Sequence, residues 1–241
     1  MMDRLNCVCP DGEFLLIDKP LGWTSFDVVA RIRTSYKKNG LKRKVGHCGT
    51  LDPLATGLLM LATGKKTKEI SSIEILDKEY TGAIKLGVKT PSYDGETEEF
   101  DFCETSHLTS SEIHEAARQF LGKQQQKPPM FSATWHKGKR LYEHARQGKD
   151  IPERKSKDVE VFAFDITGIE LPIVRFRLQV TKGTYVRSIA NDFGERLGVG
   201  GYLTELRRTK IGDFSISQAE TVSDILEKIV KTAEAHQANL T

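Results

Sequence analysis

The segment Gly46-His47-Cys48-Gly49-Thr50-Leu51-Asp52-Pro53-Leu54-Ala55-Thr56-Gly57 gathers three glycines and a proline around one carboxylate. Asp-Pro starts a turn, with Asp at its first position and Pro at its second. Taken alone, the dipeptide reads as a structural turn. Its surroundings give it more to do. From Arg31 to Lys68 there are ten basic residues, and Asp52 is the sole acid, so the stretch carries a net +9. An isolated aspartate titrates near 3.9, so Asp52 is expected to be ionised at neutral pH unless deeply desolvated. Metal chemistry has little support. Cys103 and His107 are spaced as a C-x3-H start, but no second ligand pair follows. The four cysteines, Cys7, Cys9, Cys48 and Cys103, contain no CxxC pair, which points to reduced thiols and a cytoplasmic chain.

The charge is unevenly placed. Lys123 to Lys157 has ten basic and three acidic residues, a net +7, whereas Lys89 to Gly122 has two basic and eight acidic, a net −6. Two basic blocks separated by an acidic one fit a face that tracks a polyanion, with the acidic block turned away. The bulk net charge of +3 hides this.

The elements that must position these residues belong to a soluble globular chain. Its 241 residues are 38% hydrophobic and 29% charged, enough apolar material for a core and far from a collagen-like or disordered composition. Apolar runs as short as Leu58-Leu59-Met60-Leu61-Ala62 exclude a spanning helix. The N-terminal residues contain no apolar signal region. Phe14 to Ile17 reads as a strand, and Thr24 or Ser25 caps a helix with Asp27 in its first turn and Val28, Val29 and Ile32 on its apolar stripe. Gly57 to Leu61 reads as a buried strand. Ile84, Leu86 and Val88 alternate, as do Phe162, Phe164 and Ile166, and Val174, Phe176, Leu178 and Val180. Thr109-Ser-Ser-Glu112 is a capping box ahead of Ile113, Ala116, Ala117, Phe120 and Leu121. Ile189, Ala190, Phe193 and Leu197 mark a further helix, and Thr221-x-x-Asp224 opens the last. Without a strict βαβ repeat, this mixture predicts an α+β fold around a largely antiparallel or mixed sheet. Lys123 to Lys157, with Pro128-Pro129, Gly138 and Gly148, is expected to leave the sheet as a functional excursion.

Several motifs in order carry a closer identification. GHCGTLDPLATG, with DKPLGWTSFDVV ahead of it and KPPMFSATWHKGKRLYEHARQG, KGTYVRSIANDFGERLG and LRRTKIG behind it, closely resembles the TruB family of tRNA pseudouridine synthases over about residues 14 to 214. The resemblance implies a pseudouridine-synthase fold that isomerises the T-loop uridine of tRNA, conventionally position 55. The N1–C1′ bond breaks, the uracil turns, and C5 joins C1′. The reaction needs no ATP, metal or redox cofactor. Asp52 would be the nucleophile, or the base that starts glycal formation at the ribose. Arg187 would be the cation that keeps it ionised in a dry pocket. The target base must leave its stack; Tyr80 would stack on it, Tyr185 and Leu206 would line its pocket, and His47 would occupy space near the displaced base. Lys19 and Pro20 would buttress the catalytic loop. The 123–157 excursion would grip RNA, with cations on phosphates and Trp135 or His136 stacking.

Cys48 stands where the family more often has alanine or threonine. The resemblance assigns residues 1–220 to the catalytic domain and 221–241 to a C-terminal helix and tail, without the PUA-type RNA-binding domain common in the family. The expected partner is the tRNA T-arm, with no membrane, and the expected state is a monomer. Two rivals share the scaffold: a non-catalytic RNA-binding or remodelling protein, and a synthase of the H/ACA-guided type. The presence of Asp52, Tyr80 and Arg187 favours an enzyme, and the KPPMFSA segment favours the stand-alone bacterial type.

Overall fold

The computed structural model describes residues 9, 11–149, 151 and 153–238; Cys7 lies outside them. In chain order the elements are β1 (Phe14–Lys19), α1 (Ser25–Lys38), β2 (Val45–His47), β3 (Ala55–Thr63), α2 (Ile70–Glu74), β4 (Lys78–Leu86), α3 (Ser110–Arg118), β5 (Gly122–Gln126), β6 (Trp135–His136), β7 (Lys139–Arg140), α4 (Leu141–Ala145), β8 (Lys157–Glu170), β9 (Ile173–Val180), α5 (Val186–Arg196), β10 (Gly201–Ile211), β11 (Phe214–Ser215), β12 (Glu220–Thr221) and α6 (Val222–Ala238). The class is α+β with a mixed sheet, as the patterning predicts. The chain divides into two compact units, residues 1–78 with 207–241, and residues 79–206, so it passes between them within β4 and within β10.

In the first unit β1 pairs antiparallel with β3, placing Leu16 opposite Met60 and Asp18 opposite Leu58. Parallel pairing of β1 with β12 makes the sheet mixed. β2 pairs antiparallel with β3, with His47 opposite Leu61. Both faces of these strands are covered, which is why Leu58 to Ala62 is continuously apolar rather than alternating. Phe14, Leu16, Cys48, Leu58, Met60, Ile73, Ile211 and Phe214 form one buried cluster. Helix α1 starts at Thr24, whose side chain accepts from the Asp27 amide, and Asp27 returns the bond to the Thr24 amide. That reciprocal cap contributes about 1 kcal/mol. The other end of α1 is fixed by Glu13, a fully buried carboxylate that accepts from the Tyr36 hydroxyl at 2.5 Å and from Arg43 at 3.0 Å. Burial and this carboxylate push the Tyr36 phenol far up, so it remains a donor at every physiological pH.

In the second unit β4, β9, β8 and β5 follow one another across the sheet. Phe120, Phe164, Phe176 and Phe193 pack edge-on or tilted, with centroids 5.3–6.2 Å apart. Two expectations change here. Phe162 does not share the inward face of Phe164. The β8–β9 register slips between Val161 and Ala163, which inserts one residue and turns Phe162 to solvent. The excursion also begins later than Lys123. Residues Gly122–Gln126 form β5, paired with β8 from Gly122 opposite Val161 to Gln126 opposite Lys157. Its Lys-Gln-Gln-Gln composition hides an edge strand, because an edge strand tolerates polar side chains. Beyond it the segment is built rather than structureless. β6 and β7 form a hairpin, His136 opposite Lys139, joined by Lys137 and Gly138 at φ +44° and +84°. Positive φ at both turn residues is the type I′ geometry that matches strand twist.

Candidate active site

The Asp52 loop joins β2 to β3 and is held from three directions. Inside it, the Ala55 amide donates to the Asp52 carbonyl at 3.0 Å, closing the turn that Asp-Pro starts. From the segment ahead of α1, the Gly22 amide donates to the Pro53 carbonyl at 2.9 Å. Ser25 Oγ donates to the Leu51 carbonyl at 3.0 Å and accepts from the Leu51 amide at 2.8 Å. From β10, Arg208, 1% exposed, donates to the carbonyls of Leu58 at 2.7 Å, Gly49 at 3.2 Å and Thr50 at 3.4 Å. At Gly57, with φ +95°, any Cβ would come within 2.4 Å of the Arg208 carbonyl, so only glycine lets β10 approach β3 here. Leu51 is buried, Asp52 half-buried and Pro53 exposed. The carboxylate therefore rides on a rigid turn at the edge of the core.

Lys19 lies beneath this loop with no exposed surface. Its ammonium donates to the carbonyls of Trp23 at 2.5 Å and Pro20 at 3.0 Å. Burial pushes its pKa down to about 8, against the opposing pull of the Asp52 and Asp27 carboxylates, while Arg208 lowers it further. Lys19 thus braces the 20–23 segment, whose Gly22 amide holds the Pro53 carbonyl. His47, half-buried at the end of β2, has its pKa lowered chiefly by burial, so its ring is neutral near pH 7. Its Nδ1 is buried and has no hydrogen-bond partner among the described residues. Cys48 is fully buried and its thiol is pushed up to about 12, chiefly by burial, so it acts as a small apolar side chain.

The second unit holds the other four candidates. Tyr80, on β4, is 8% exposed. Arg187, in the first turn of α5, is buried; it donates to the carbonyls of Phe131 at 3.0 Å and Ser92 at 3.2 Å and lies 3.5 Å from the Asp94 carboxylate. Tyr185 sits at the N-terminal boundary of α5, its amide donating to Gln126 and its hydroxyl 3.0 Å from Thr134 Oγ1. Leu206 is half-buried on β10. Gln126, Thr134 and Phe131 tie the start of the excursion to Tyr185 and Arg187, which the charge pattern alone did not suggest. At the hairpin, Trp135 is 61% exposed and the Arg140 guanidinium lies over its ring at 4.3 Å, a cation–π pair presented to solvent.

Sequence reasoning missed Arg208, Ser25 and Asp94. Arg208 was visible only as one of two arginines in LRRTKIG. Strand alternation separates them: Arg207 pairs with Asp18 at 2.6 Å on a half-exposed surface, while Arg208 turns inward. Ser25 read as a possible helix cap, a role Thr24 takes. Asp94 lay in the acidic block assigned to the surface, yet it is 3% exposed. Among the described residues no cluster of three or more His, Cys, Asp or Glu is arranged to hold a metal, and no helix is long and apolar enough to cross a membrane.

Comparison with known proteins places this arrangement. Residues 37–186 match the N-terminal domain of the TruB family pseudouridylate synthases, and residues 187–240 match the tRNA pseudouridylate synthase B C-terminal domain. The chain is 56% identical over 230 residues to tRNA pseudouridine synthase B of Chlorobaculum tepidum, covering 95% of this chain and 96% of that one. It is 51% identical over 212 residues to the protein of that name in Flavobacterium johnsoniae, covering 87% and 92%. Among solved structures it is similar to a chain of an H/ACA RNP bound to a substrate RNA containing 2′-deoxyuridine, with 27% identity and a TM-score of 0.64, covering 90% of this chain and 53% of that one. A Cbf5-Nop10-Gar1 complex gives 26% identity and a TM-score of 0.68, covering 92% and 59%. Family models that together run from residue 37 to residue 240, and relatives above half identity across nearly their whole length, establish that the chain belongs to the TruB family of pseudouridylate synthases and is an isomerase.

Proposed function

We propose that this enzyme acts in the cytoplasm as a monomer on tRNA, converting the T-loop uridine at position 55 to pseudouridine, with Asp52 as the group that opens the reaction. The observation that carries the reading is the Asp52 turn. A carboxylate is presented on a backbone pinned by Gly22, Ser25 and Arg208, so little reorganisation is left for the chemical step. The relatives named tRNA pseudouridine synthase B, at 51–56% identity, support tRNA as substrate more strongly than the H/ACA chains at 26–27% support a guided one. Catalysis is assigned to residues 1–220, with 221–241 as an appended helix and tail.

In this reading the uridine is flipped out and Tyr80 stacks on the uracil, while Tyr185 and Leu206 complete its pocket and neutral His47 fills space beside the displaced base. The resemblance assigns Arg187 as the cation that partners the reacting carboxylate. Asp52 either attacks C1′ as N1 departs or removes the C2′ proton to give a glycal. The free uracil turns; C5 bonds to C1′ as the Asp52–C1′ ester bond breaks, or, in the glycal route, as C2′ takes its proton back from Asp52; the C5 proton then leaves to restore the ring double bond. No other reactant is consumed.

The last step supplies the test. Fluorine at C5 cannot leave as a cation. RNA carrying 5-fluorouridine at the target should be cleaved and rejoined, then stall as a saturated or hydrated product detectable by mass spectrometry of the digested nucleosides. Unaltered 5-fluorouridine, recovered from an enzyme preparation that converts normal uridine, would contradict the C5-glycoside route.

A further inference from the structure

The outer surface of α1 enters the assignments above only through the bulk charge of the 31–68 stretch. Arg31, Arg33, Lys37 and Lys38 are exposed along it, and Lys42 and Lys44 continue the run in the turn before β2. Among the described residues these six form no ion pair, whereas Arg43 in their midst is paired to buried Glu13. The one acid of the helix, Asp27, is engaged in the Thr24 cap. The face is therefore a strip of uncompensated cations.

Its other end is apolar. Leu21 and Phe26 are 65% and 61% exposed, among the most exposed large hydrophobic side chains in the described chain. They flank the residues that clamp the catalytic turn, Gly22 through Pro53 and Ser25 through Leu51. Phe26, Ala30, Arg33 and Lys37 follow at helical spacing on one stripe, and the Arg33 guanidinium lies 5.9 Å from the Phe26 ring centroid. From Phe26 to Lys37 the helix rises about 16 Å. An apolar tip beside the reacting carboxylate, followed by two to three turns of unpaired cations, has the chemical order of an RNA stem-loop. Unstacked loop bases lie at the site of chemistry and stem phosphates lead away from it.

Resting on the RNA-isomerase reading above, we propose that α1 is a second RNA-contact face, separate from the 123–157 excursion. Leu21 and Phe26 pack against splayed loop bases, and Arg31, Arg33, Lys37 and Lys38 meet phosphates of the adjoining stem.

The test compares two charge-matched triple variants of the full chain on a T-arm stem-loop RNA. The first, Arg31→Gln, Lys37→Gln and Lys38→Gln, removes three cations from the face. The second, Arg118→Gln, Lys228→Gln and Lys231→Gln, removes three ion-paired cations elsewhere. Each phosphate contact contributes about 0.7–0.9 to the slope of log K against log salt. The α1 variant should therefore flatten the slope by about 2, weaken binding between about tenfold and a hundredfold at 0.1 M salt, and raise KM more than it lowers kcat. The control should leave slope and turnover near wild type. Phe26→Ala should weaken binding to the stem-loop but not to a duplex of the same stem. Equal slopes for the two triples, or a loss confined to binding of phosphatidylserine vesicles, would overturn the proposal. Thermal melting confirms that each variant is folded. Wild-type conversion of uridine in the same RNA separates failure of this inference from failure of the functional reading.

Discussion

A buried ammonium near the carboxylate proposed to open the reaction makes a pH-dependent device of Lys19. Its pKa, held near 8 mainly by burial, lies below the ordinary lysine value of 10.5. Below pH 8 it is charged in both folded and unfolded chains, and burying that charge opposes folding. As pH rises from 8 to 10.5 the folded chain releases the proton first, so this penalty fades and stability rises. Activity should run the other way, because the positive charge beside Asp52 is lost. Turnover of the wild type is expected to fall as pH rises through about 8, and Lys19→Met should be slower at pH 7 with no limb in that range. A wild-type-like limb in the variant would assign the titration elsewhere. Tyr80 tests stacking against proton transfer. Base stacking on an aromatic ring contributes roughly 1–3 kcal/mol, so Tyr80→Ala should cut turnover strongly. If the ring only stacks, Tyr80→Phe retains most activity; if the hydroxyl moves a proton, Phe fails as Ala does. Near-normal turnover by Tyr80→Ala would remove Tyr80 from the site.

At the scale of elements, the Asp52 loop is a product of β10 as much as of its own residues. Arg208, itself buried, serves three carbonyls, of which that of Leu58 is buried and those of Gly49 and Thr50 are partly so. Arg208→Met would leave them unpaired, and each buried unsatisfied group costs about 1–3 kcal/mol. A loss of about 1–3 kcal/mol in denaturant unfolding is expected, together with a fall in kcat larger than any rise in KM, since the loop is displaced rather than the RNA surface. Wild-type stability would show that the guanidinium merely occupies space. The same element shows what the sequence could and could not convey. Periodicity located β1, β3, β9, α1, α3 and α5, because apolar stripes and capping boxes are local features. Which arginine of Arg207-Arg208 turns inward depends on pairing with a strand 150 residues away. The exposure of Phe162 depends on a register slip. The strand character of Gly122–Gln126 depends on having a partner. None of these has a local signature.

For the whole molecule, the motif order identified the family, and matches spanning residues 37–240 agree with it. The individual site residues were legible only through that resemblance. Asp52-Pro53 alone is a turn, Arg187 alone is any arginine, and the buried Asp94 beside it was read as surface. The charge pattern was legible without the family, and it is uneven in the direction an RNA substrate requires. Whether Asp52 starts the isomerisation of a tRNA uridine is decided by one comparison. Pseudouridine at position 55 should be mapped chemically in tRNA from cells lacking this activity, after incubation with wild type or with Asp52→Asn, alongside filter retention of the same tRNA. Wild type should modify that uridine. Asp52→Asn, nearly isosteric and lacking only the charge, should yield no detectable product while binding as tightly or more tightly, because a negative charge near phosphates is gone. Product from Asp52→Asn at a rate near that of wild type would contradict the account.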